Sequence, residues 1–544
     1  MKKNNFKIKY MVAGLVALFM TSSCVGDLDV TPINPQVTQV FNQDQVFAKV
    51  YASFSLTGQE GPAGNGDVEG LDEGRFSLIR CLWNCNELST DEALCSWGDA
   101  EVTDLNKNTW TASNQAFDGL YARLYFVVTI SNHFMEQTEG KSDDVTLKQR
   151  AEVRFLRALA YYYLMDNFGN VPFTEKISSV APKQIKRKDL FKWIESELKA
   201  CEPDMYEPRT APYYRVDKVA NWLLMSRLYL NGEVYTSVPA TDASAAVPGD
   251  TYWDEAAVYA KKVIDSSYEL APVFRHLFMG DNAGTIDGSD VNKASQEIIF
   301  PFAADGVKTQ SWGNSMFLIA STHVAGMPEW GTTEGWGGNR VRPGIVKVFF
   351  PGTILVSSKK DLTTGLTSTY RDYRALFYGD TDRTLSIPNI GKFKEGYSVI
   401  KYSNARVDGL TPHDPKYVDM DIPFMRKAEA YLTYAEAVLR GGAKIDAYEP
   451  LVAMNALRTR ASAKLYTTVV LADVINERAR EFFFEGHRRS DLIRFNMFGG
   501  NTGYTWEWKG GVQAGVDFPV EYNLFPIPAN DLNANANLVQ NPGY

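Results

Sequence analysis

The feature that most constrains the fold is the segment of residues 146–173, TLKQRAEVRFLRALAYYYLMDNFGNVPF, which has the apolar periodicity of a long helix. Its apolar residues form two adjacent stripes, Val153, Leu156, Ala160, Tyr163 and Leu164 in one and Phe155, Leu159 and Tyr162 in the other. Gly169 and Pro172 mark its C-terminal end. Because two apolar stripes must be covered on two sides, this segment predicts a helix packed between other helices.

Similar helical patterns recur along the chain in RKDLFKWIESELKACEPDM, RVDKVANWLLMSRLYLNGEVY, YWDEAAVYAKKVIDSSYEL, IPFMRKAEAYLTYAEAVLRGG and YEPLVAMNALRTRASA. Each is too apolar to stand alone, and short turns join them in pairs. Stacked helix pairs of this kind are typical of tetratricopeptide-type repeats. We therefore predict a mainly α protein built on a tetratricopeptide-like helical repeat scaffold.

Residues 276–421 interrupt this pattern. They are rich in Gly, Asn, Asp, Thr and Trp and contain only short β-type pieces, such as QEIIFPF and GIVKVFF. Loop-rich segments held by a rigid scaffold commonly carry binding sites. We predict a first helical region at 41–275, a loop-rich, minor-β binding-face subdomain at 276–421, and a second helical region with the C-terminal segment at 422–544.

The first forty residues indicate export and anchoring. A basic start is followed by an apolar run of about eleven residues, too short for the roughly 20 that span a bilayer, so residues 1–23 are predicted to be a signal peptide. Cys24 follows two serines, as in a bacterial lipoprotein signal, and we predict that it is acylated. An ordinary secretory cleavage site is the alternative. Residues 24–40 are polar and Pro-containing, and are interpreted as a lipidated tether.

Charge and composition narrow the class of partner. The net charge of −9 is spread over 544 residues with no basic block, which argues against nucleic acid. Aromatic residues make up 13% of the chain, enough to ask whether some rings form a binding surface. The four remaining cysteines, Cys81, Cys85, Cys95 and Cys201, are expected to be small buried side chains.

Five segments in order resemble the SusD/RagB family of Bacteroidetes outer-membrane lipoproteins: CVGDLDVTPINPQ, AEVRFLRALAYYYLMDNFGNVPF, IPFMRKAEAYLTYAEAVLRGG, INERAREFFFEGHRRSDLIRF and LFPIPANDLNANANLVQNPGY. Further segments, among them NCNELSTDEALCSWGD and VAGMPEWGTTEGW, resemble its starch-binding members. The resemblance implies a non-catalytic, lipid-anchored protein on the outer face of the outer membrane. It would capture starch or maltooligosaccharides and deliver them to a SusC-like TonB-dependent transporter.

The resemblance also implies a set of ligand-binding residues. The starch-binding aromatic arc of the family falls on Trp97, Trp312 and Trp336, and Arg80 matches an arginine that hydrogen-bonds sugar hydroxyls. Aromatic rings take the apolar faces of a glucan, and a curved set of rings suits a naturally bent α-glucan. One family asparagine falls near Ala100, so Asp99 or Glu101 would have to supply the missing polar contact.

A structural calcium ion is a further expectation. Asp419 and Asp421 lie two residues apart, the loop GDNAGTIDGSD holds three more aspartates, and hard oxygen ligands suit Ca²⁺. The family resemblance places a calcium between these two regions and matches Asp419 and Asp421 as ligands. A solvated acidic turn is the alternative.

Two other functions compete with α-glucan capture. The same scaffold could serve a different glycan, because the fold does not fix the ligand. A surface glycosidase is the less favoured alternative, with its carboxylates drawn from Glu481, Glu485 and Asp491 beside His487. Glu481 and Glu485 lie one helical turn apart among arginines, which favours paired charges over catalysis. No nucleophile-elbow, zinc-protease or P-loop motif is present.

Overall fold

Helices supply most of the regular structure of this chain. The computed structural model describes residues 40–58, 61–62, 66–238, 247–284, 288, 291–351, 372–379 and 382–544. The longer α-helices are α1 (Gln43–Ser55), α3 (Ala100–Lys107), α4 (Gln115–Gln137), α5 (Asp144–Phe168), α6 (Arg187–Cys201), α7 (Lys218–Leu230), α9 (Trp253–Ile264), α12 (Ala428–Leu439), α13 (Pro450–Arg460) and α14 (Leu471–Phe482). The shorter ones are α2 (Leu78–Trp83), α8 (Gly232–Thr236), α10 (Ser315–Ala320), α11 (Pro343–Phe349), α15 (Arg488–Arg494) and α16 (Ala529–Ala534).

Helix α5 shows how the sequence fixes an element. The Asp143 side chain caps its N-terminus by accepting a hydrogen bond from the Thr146 amide at 2.9 Å. Gly169 ends it with φ 72°, a left-handed value that glycine adopts without strain. Residues of both apolar stripes are buried, and α5 packs against both α4 and α6. The predicted two-sided helix is confirmed.

The remaining long helices pack in sequence. Helix α9 lies against both α7 and α12, and α12 packs in turn against α13 and α14. Helices α9 and α12 thus each pack against helices on both sides of them in the sequence, as in stacked helix pairs. The predicted mainly α, tetratricopeptide-like scaffold is confirmed.

The strands are short, and each pairs antiparallel with one partner in the described part of the chain. They are β1 (Ala93–Cys95), β2 (Val171–Pro172), β3 (Gln184–Ile185), β4 (Ile298–Phe302), β5 (Asn339–Val341), β6 (Phe377–Tyr378), β7 (Ser398–Val399) and β8 (Ile422–Arg426). The pairs are β1 with β5, β2 with β3, β4 with β8 and β6 with β7. Two of these pairs, β1 with β5 and β4 with β8, join residues more than one hundred positions apart and attach the loop-rich segment to the helices.

The structure tests the predicted domain boundaries, N-terminal segments and cysteines to different extents. The described residues of Asp44–Tyr544 form one compact unit. The predicted boundaries at 276 and 422 therefore mark changes in secondary-structure content and stay predictions. The signal peptide at 1–23, Cys24 and almost all of the tether at 24–40 lie outside the described residues. Cys81, Cys85, Cys95 and Cys201 are buried free thiols, as expected. In the part of the chain that is described, no helix is both long and apolar enough to cross a membrane.

Candidate functional site

The candidate site begins at Trp97, which lies two residues after the end of strand β1. The Ser96 amide donates to the Gly338 carbonyl at 2.9 Å, which continues the β1–β5 pairing by one residue. Gly338 lies so close to the indole that a Cβ there would stand 2.6 Å from Trp97 Nε1. The half-buried Trp97 ring is therefore seated directly on the backbone that precedes β5.

Trp336 lies beside Trp97. Their ring centroids are 6.5 Å apart with an interplanar angle of 49°. The Trp336 amide donates to the Ala320 carbonyl at 2.7 Å, so the last residue of helix α10 holds this part of the loop. The Trp336 indole Nε1 donates to Glu334 Oε2 at 2.9 Å, which fixes the ring's rotation.

Trp312 continues the row on the far side of Trp336. The two ring centroids are 6.1 Å apart, again with an interplanar angle of 49°. The next residue, Gly313, accepts a hydrogen bond from Ser77 Oγ at 2.6 Å through its carbonyl, which ties this loop to the cap of helix α2. The structure thus brings together three half-buried indoles, in the order Trp97, Trp336, Trp312, each turned relative to the next.

Arg80 lies beneath the row rather than on its surface. Its guanidinium carbon is 5.1 Å from the ring centroids of both Trp97 and Phe317, and one terminal nitrogen donates to the Gly74 carbonyl at 2.9 Å. Only 9% of the residue is exposed, and burial lowers the pKa of its guanidinium. The geometry makes Arg80 a cationic support under Trp97; direct contact with sugar hydroxyls stays a prediction.

Asp99 and Glu101 were the alternatives for the missing polar contact, and the structure separates them. Both lie close to Arg75, with Asp99 Oδ1 3.2 Å from its guanidinium and Glu101 Oε1 2.5 Å away. The Asp99 side chain is 38% exposed and that of Glu101 is 7% exposed. Of the two, Asp99 is therefore the carboxylate that a ligand in solution can reach.

Sequence reasoning missed three residues that border the row. The Tyr417 ring centroid is 5.1 Å from that of Trp312, the Lys416 ammonium lies 4.5 Å above the Trp312 ring, and Glu334 bonds Trp336. Tyr417 belongs to the segment YVDMDIP, whose carboxylates predict a calcium site but whose tyrosine matches no binding motif. No pattern along the sequence links positions 312 and 417, so only the folded structure reveals their contact.

Two other tryptophans of this region have supporting roles. Trp83 is 4% exposed and packs edge-on against Phe317, the same ring that lies under Arg80. Trp330 stacks on the buried His323, with ring centroids 5.1 Å apart, and its Nε1 donates to the Glu334 carbonyl at 2.7 Å. Trp330 therefore anchors the turn that leads to Trp336.

The predicted calcium ligands follow Tyr417 closely in the sequence, and both are buried. Asp419 and Asp421 are 3% and 1% exposed. Among the described residues, the side chain at ion-pair distance from Asp419 is that of His413, with Nδ1 3.2 Å from Oδ1, and burial raises the pKa of the Asp419 carboxyl. A buried carboxylate without a lysine or arginine partner favours a nearby cation.

The loop that would complete this ligand set is only partly described. Asp281 is buried, and its carboxylate accepts hydrogen bonds from the amides of Val407 and Asp408 and from the Asn292 side chain. Asp287 and Asp290 lie outside the described residues. Within the described ranges, no three His, Cys, Asp or Glu side chains are grouped closely enough to hold a metal ion. Asp419 and Asp421 would supply two of the six to eight oxygen ligands of a calcium ion, and the calcium site stays a prediction.

The carboxylates proposed for a glycosidase are committed to ion pairs. Glu481 is fully buried and contacts Arg374, Arg426 and Arg460, and Glu485 contacts Arg426 and Lys401. Burial alone would raise their pKa values, but these cations outweigh it and lower the pKa of both carboxyls. A general acid needs the opposite shift and an accessible proton, so these residues cannot serve as the catalytic pair of a glycosidase.

Comparison with known proteins covers nearly the whole chain. The SusD family model matches residues 348–544, and a model described as starch-binding associating with outer membrane matches residues 82–230. The chain is 42% identical to the starch-binding protein SusD of Bacteroides thetaiotaomicron over 563 aligned positions, which cover 98% of each chain. It is 22% identical to a SusD-like protein of Bacteroides ovatus, over 70% of this chain and 66% of that one.

Solved structures share the fold. Surface glycan-binding protein A from Bacteroides thetaiotaomicron, solved in complex with laminarihexaose, has a TM-score of 0.64 at 18% identity and covers 92% of this chain and 98% of its own. A SusD-like protein from Bacteroides fragilis has a TM-score of 0.66 at 18% identity, covering 95% of this chain and all of its own. These similarities extend the helical scaffold to proteins of low sequence identity.

Proposed function

This chain belongs to the SusD family, and we propose that it is a non-catalytic glycan-binding protein that captures starch and maltooligosaccharides at the outer membrane. The observation that supports this most strongly is the row of three neighbouring, half-buried indoles, Trp97, Trp336 and Trp312. The sequence relative that is 42% identical over 98% of the chain is a starch-binding protein.

The row suits the chemistry of an α-glucan. A glucan chain presents apolar C–H faces and rims of hydroxyls, so a protein that holds it without cleaving it needs aromatic faces and a few polar groups. Successive indoles here differ in plane by 49° at each step, so the rings do not form a flat platform. A flat β-glucan would contact fewer of these rings at once than a curved α-glucan chain.

The carboxylates that could serve a hydrolase are held in ion pairs, so the proposal includes no catalysis. Glu481 and Glu485 are held ionised among arginines, and Asp99 is paired with Arg75. Binding to half-buried rings without closure of the site yields modest affinity, in the range of about μM to mM. Several contacts along polymeric starch would raise the apparent affinity through avidity.

Affinity electrophoresis and calorimetry of the purified chain test this function directly. We expect amylopectin to retard the protein and maltoheptaose to bind, with no reducing ends released over time. Retardation by xylan or inulin alone would instead identify another glycan as the ligand. Release of reducing ends would point to the glycosidase alternative.

Single alanine variants of Trp97, Trp312 and Trp336 test the row itself. Each should weaken maltoheptaose binding by about tenfold or more, since loss of a large ring contact costs on the order of 1.4 kcal/mol or above. Trp222 is the matched control because it lies on scaffold helix α7, where its Nε1 donates to Glu202 at 2.7 Å. Trp222→Ala should lower thermal stability and leave the affinity unchanged. A row variant that loses stability without losing affinity would remove that ring from the site.

The anchor and the transporter partner extend the proposal. We propose that acylated Cys24 tethers the protein to the outer leaflet, and that it passes captured glucan to a SusC-like TonB-dependent transporter. The family resemblance supports both. A tagged chain purified in mild detergent from its own outer membranes should bring down a TonB-dependent transporter in comparable amount. Recovery of the tagged chain alone, under conditions that preserve other membrane complexes, would argue against a stable pair.

We also propose a structural calcium ion held in part by Asp419 and Asp421. A cation there would add favourable charge interactions with two buried carboxylates and would stabilise the folded state. When free Ca²⁺ is 100 times its dissociation constant, such binding contributes about 2.7 kcal/mol. Chelation with EDTA should lower the melting temperature, and added Ca²⁺ should restore it. Asp419→Asn should abolish this response; a variant that still responds would place the ion elsewhere.

A further inference from the structure

Tyr417 continues the row of indoles by one ring. Its centroid lies 5.1 Å from that of Trp312 with an interplanar angle of 54°, which is closer than either spacing within the row. The side chain is half-buried, and its hydroxyl has no hydrogen-bond partner in the described part of the chain. An open phenol at the end of an aromatic row offers both a ring face and a polar group to a ligand.

Lys416 places a cation at the same end of the row. Its Nζ lies 4.5 Å from the Trp312 ring centroid and 5.9 Å from that of Tyr417, and 43% of its side chain is exposed. Glu334 Oε1 is 3.8 Å from this ammonium, while Glu334 Oε2 accepts the hydrogen bond of Trp336. Glu334 therefore connects the Lys416 cation to the middle ring of the row.

The backbone holds these residues in place. The Thr333 amide donates to the Pro415 carbonyl at 2.8 Å, and Thr332 Oγ1 donates to the Lys416 carbonyl at 2.6 Å. On the other side, Asp414 Oδ1 accepts from the amides of Lys416 and Tyr417 at 2.7 and 2.8 Å. The segment of Tyr417 is thus bonded to the loop of Trp336, so the end of the row is built as one surface.

We propose that Tyr417 and Lys416 form a fourth contact position of the glucan-binding surface. The Tyr417 ring takes the apolar face of a further sugar unit, and the Lys416 ammonium, oriented by Glu334, donates to its hydroxyls. This inference rests on the proposed α-glucan function. A short oligosaccharide contacts only the three indoles, whereas a longer one also contacts Tyr417. The fourth position therefore makes affinity depend on chain length.

Calorimetric titration of the full chain in detergent with maltotriose and with maltoheptaose tests the proposal. Tyr417→Ala should weaken maltoheptaose binding by about tenfold and maltotriose binding by less than about twofold. Lys416→Met keeps the aliphatic length and removes the charge, and it should also weaken maltoheptaose selectively, by about threefold to fivefold. Tyr373→Ala is the matched control, because Tyr373 is 46% exposed and its backbone bonds Ala461 on the scaffold. It should change neither affinity.

The outcomes distinguish the two levels of the proposal. If the unaltered chain binds neither oligosaccharide, the α-glucan function itself fails. If the unaltered chain binds both and Tyr417→Ala weakens both equally or neither, the fourth position fails while the function stands. Tighter maltoheptaose binding by Lys416→Met would show that the ammonium covers the Trp312 face and would overturn its role as a hydroxyl donor. Unchanged melting temperatures of the variants exclude misfolding as the cause of any loss.

Discussion

Gly338 determines where the Trp97 ring can lie, because the indole packs directly on its backbone. A Cβ at this position would stand 2.6 Å from Trp97 Nε1, and real Cβ atoms essentially never come closer than 3.0 Å to another heavy atom. Gly338→Ala should therefore push Trp97 out of the row and weaken maltoheptaose binding by about tenfold. The change displaces a half-buried side chain, so the loss of stability should stay at about 1–3 kcal/mol. Calorimetric titration and thermal unfolding measure the two effects.

Gly98 provides the control for this substitution. It directly follows Trp97, and a Cβ there would meet no atom within 4 Å. Gly98→Ala should therefore leave both affinity and stability close to those of the unaltered protein. If Gly338→Ala binds maltoheptaose as tightly as Gly98→Ala does, Trp97 either tolerates displacement or lies outside the site.

At the scale of single residues, sequence and structure contribute differently to the site. The three tryptophans could be named from the sequence because each lies in a segment that matches a family motif. Glu334, Lys416 and Tyr417 could not, because their relevance depends on contacts between loops that are distant in the sequence, such as those of Thr332 with Lys416 and of Trp312 with Tyr417. Arg80 was identified from its motif, but its burial under Trp97 depends on Phe317, which the motif does not contain.

At the scale of elements, periodicity predicted helices well and strand pairs poorly. Helix α5 was predicted from residues 146–173 and is observed at Asp144–Phe168, with its end at the expected Gly169. Burial of both faces weakens its amphipathic contrast, but apolar residues recur over 25 residues, a length that only a helix explains. Strand β1 has three residues and pairs with β5 from a segment more than two hundred positions away. Strands this short carry too little alternation to be recognised, and their pairing follows from the packing of the helices around them.

The scaffold helices are tied together by a buried ion pair. Arg227 of α7 donates from two nitrogens to the two oxygens of Glu429 of α12, at 2.7 and 2.6 Å, and also contacts the Tyr163 hydroxyl of α5. Burial would raise the pKa of Glu429, but the Arg227 charge outweighs it and lowers the pKa to about 2 from its ordinary 4.5. The pair therefore contributes fully above pH 4.5, and its contribution is lost as the pH falls toward 2.

Glu429→Gln tests this contribution by urea unfolding at pH 7, pH 5 and pH 3. At pH 7 the variant should be less stable by about 3–5 kcal/mol, because removal of one partner leaves Arg227 buried and unpaired. Between pH 5 and pH 3 the difference between the two proteins should shrink by about 2 kcal/mol, since only the unaltered protein loses this linkage. The control is Glu449→Gln, whose pair with Lys444 is half exposed and should be worth less than about 1 kcal/mol. A constant difference across this pH range would contradict the lowered pKa.

At the scale of the whole molecule, the binding surface exists only in the folded chain. Its residues come from three stretches, 74–101, 312–338 and 414–417, and helix α10 together with the β1–β5 pair brings the first two into contact. The helical scaffold contributes no ring to the row. It fixes the ends of the loops that do. Solved proteins only 18% identical to this chain share its fold, and a shared fold does not by itself determine the ligand.

We expect the display of this surface to depend on Cys24, the first residue of the predicted mature chain. Cys24 lies outside the described residues, and its acylation is a prediction from the sequence. Each buried acyl CH₂ contributes about 0.8 kcal/mol, and more than one chain is needed for stable anchoring, so a triply or doubly acylated Cys24 would hold the protein without a membrane span. Cells grown with labelled palmitate should incorporate the label into the unaltered protein, and that protein should be found in the outer-membrane fraction.

Cys24→Ala should lose both the label and the outer-membrane location. Cys201→Ala is the matched control, because Cys201 is a buried free thiol in helix α6 that no acylating enzyme can reach in the folded protein. That variant should keep the label and the location, with some loss of stability from the small cavity it creates. Label retained by Cys24→Ala would show that another residue carries the lipid. Outer-membrane location retained without the label would show that the protein is held by its transporter partner, and the lipid anchor would then be dispensable for displaying the row of rings at the cell surface.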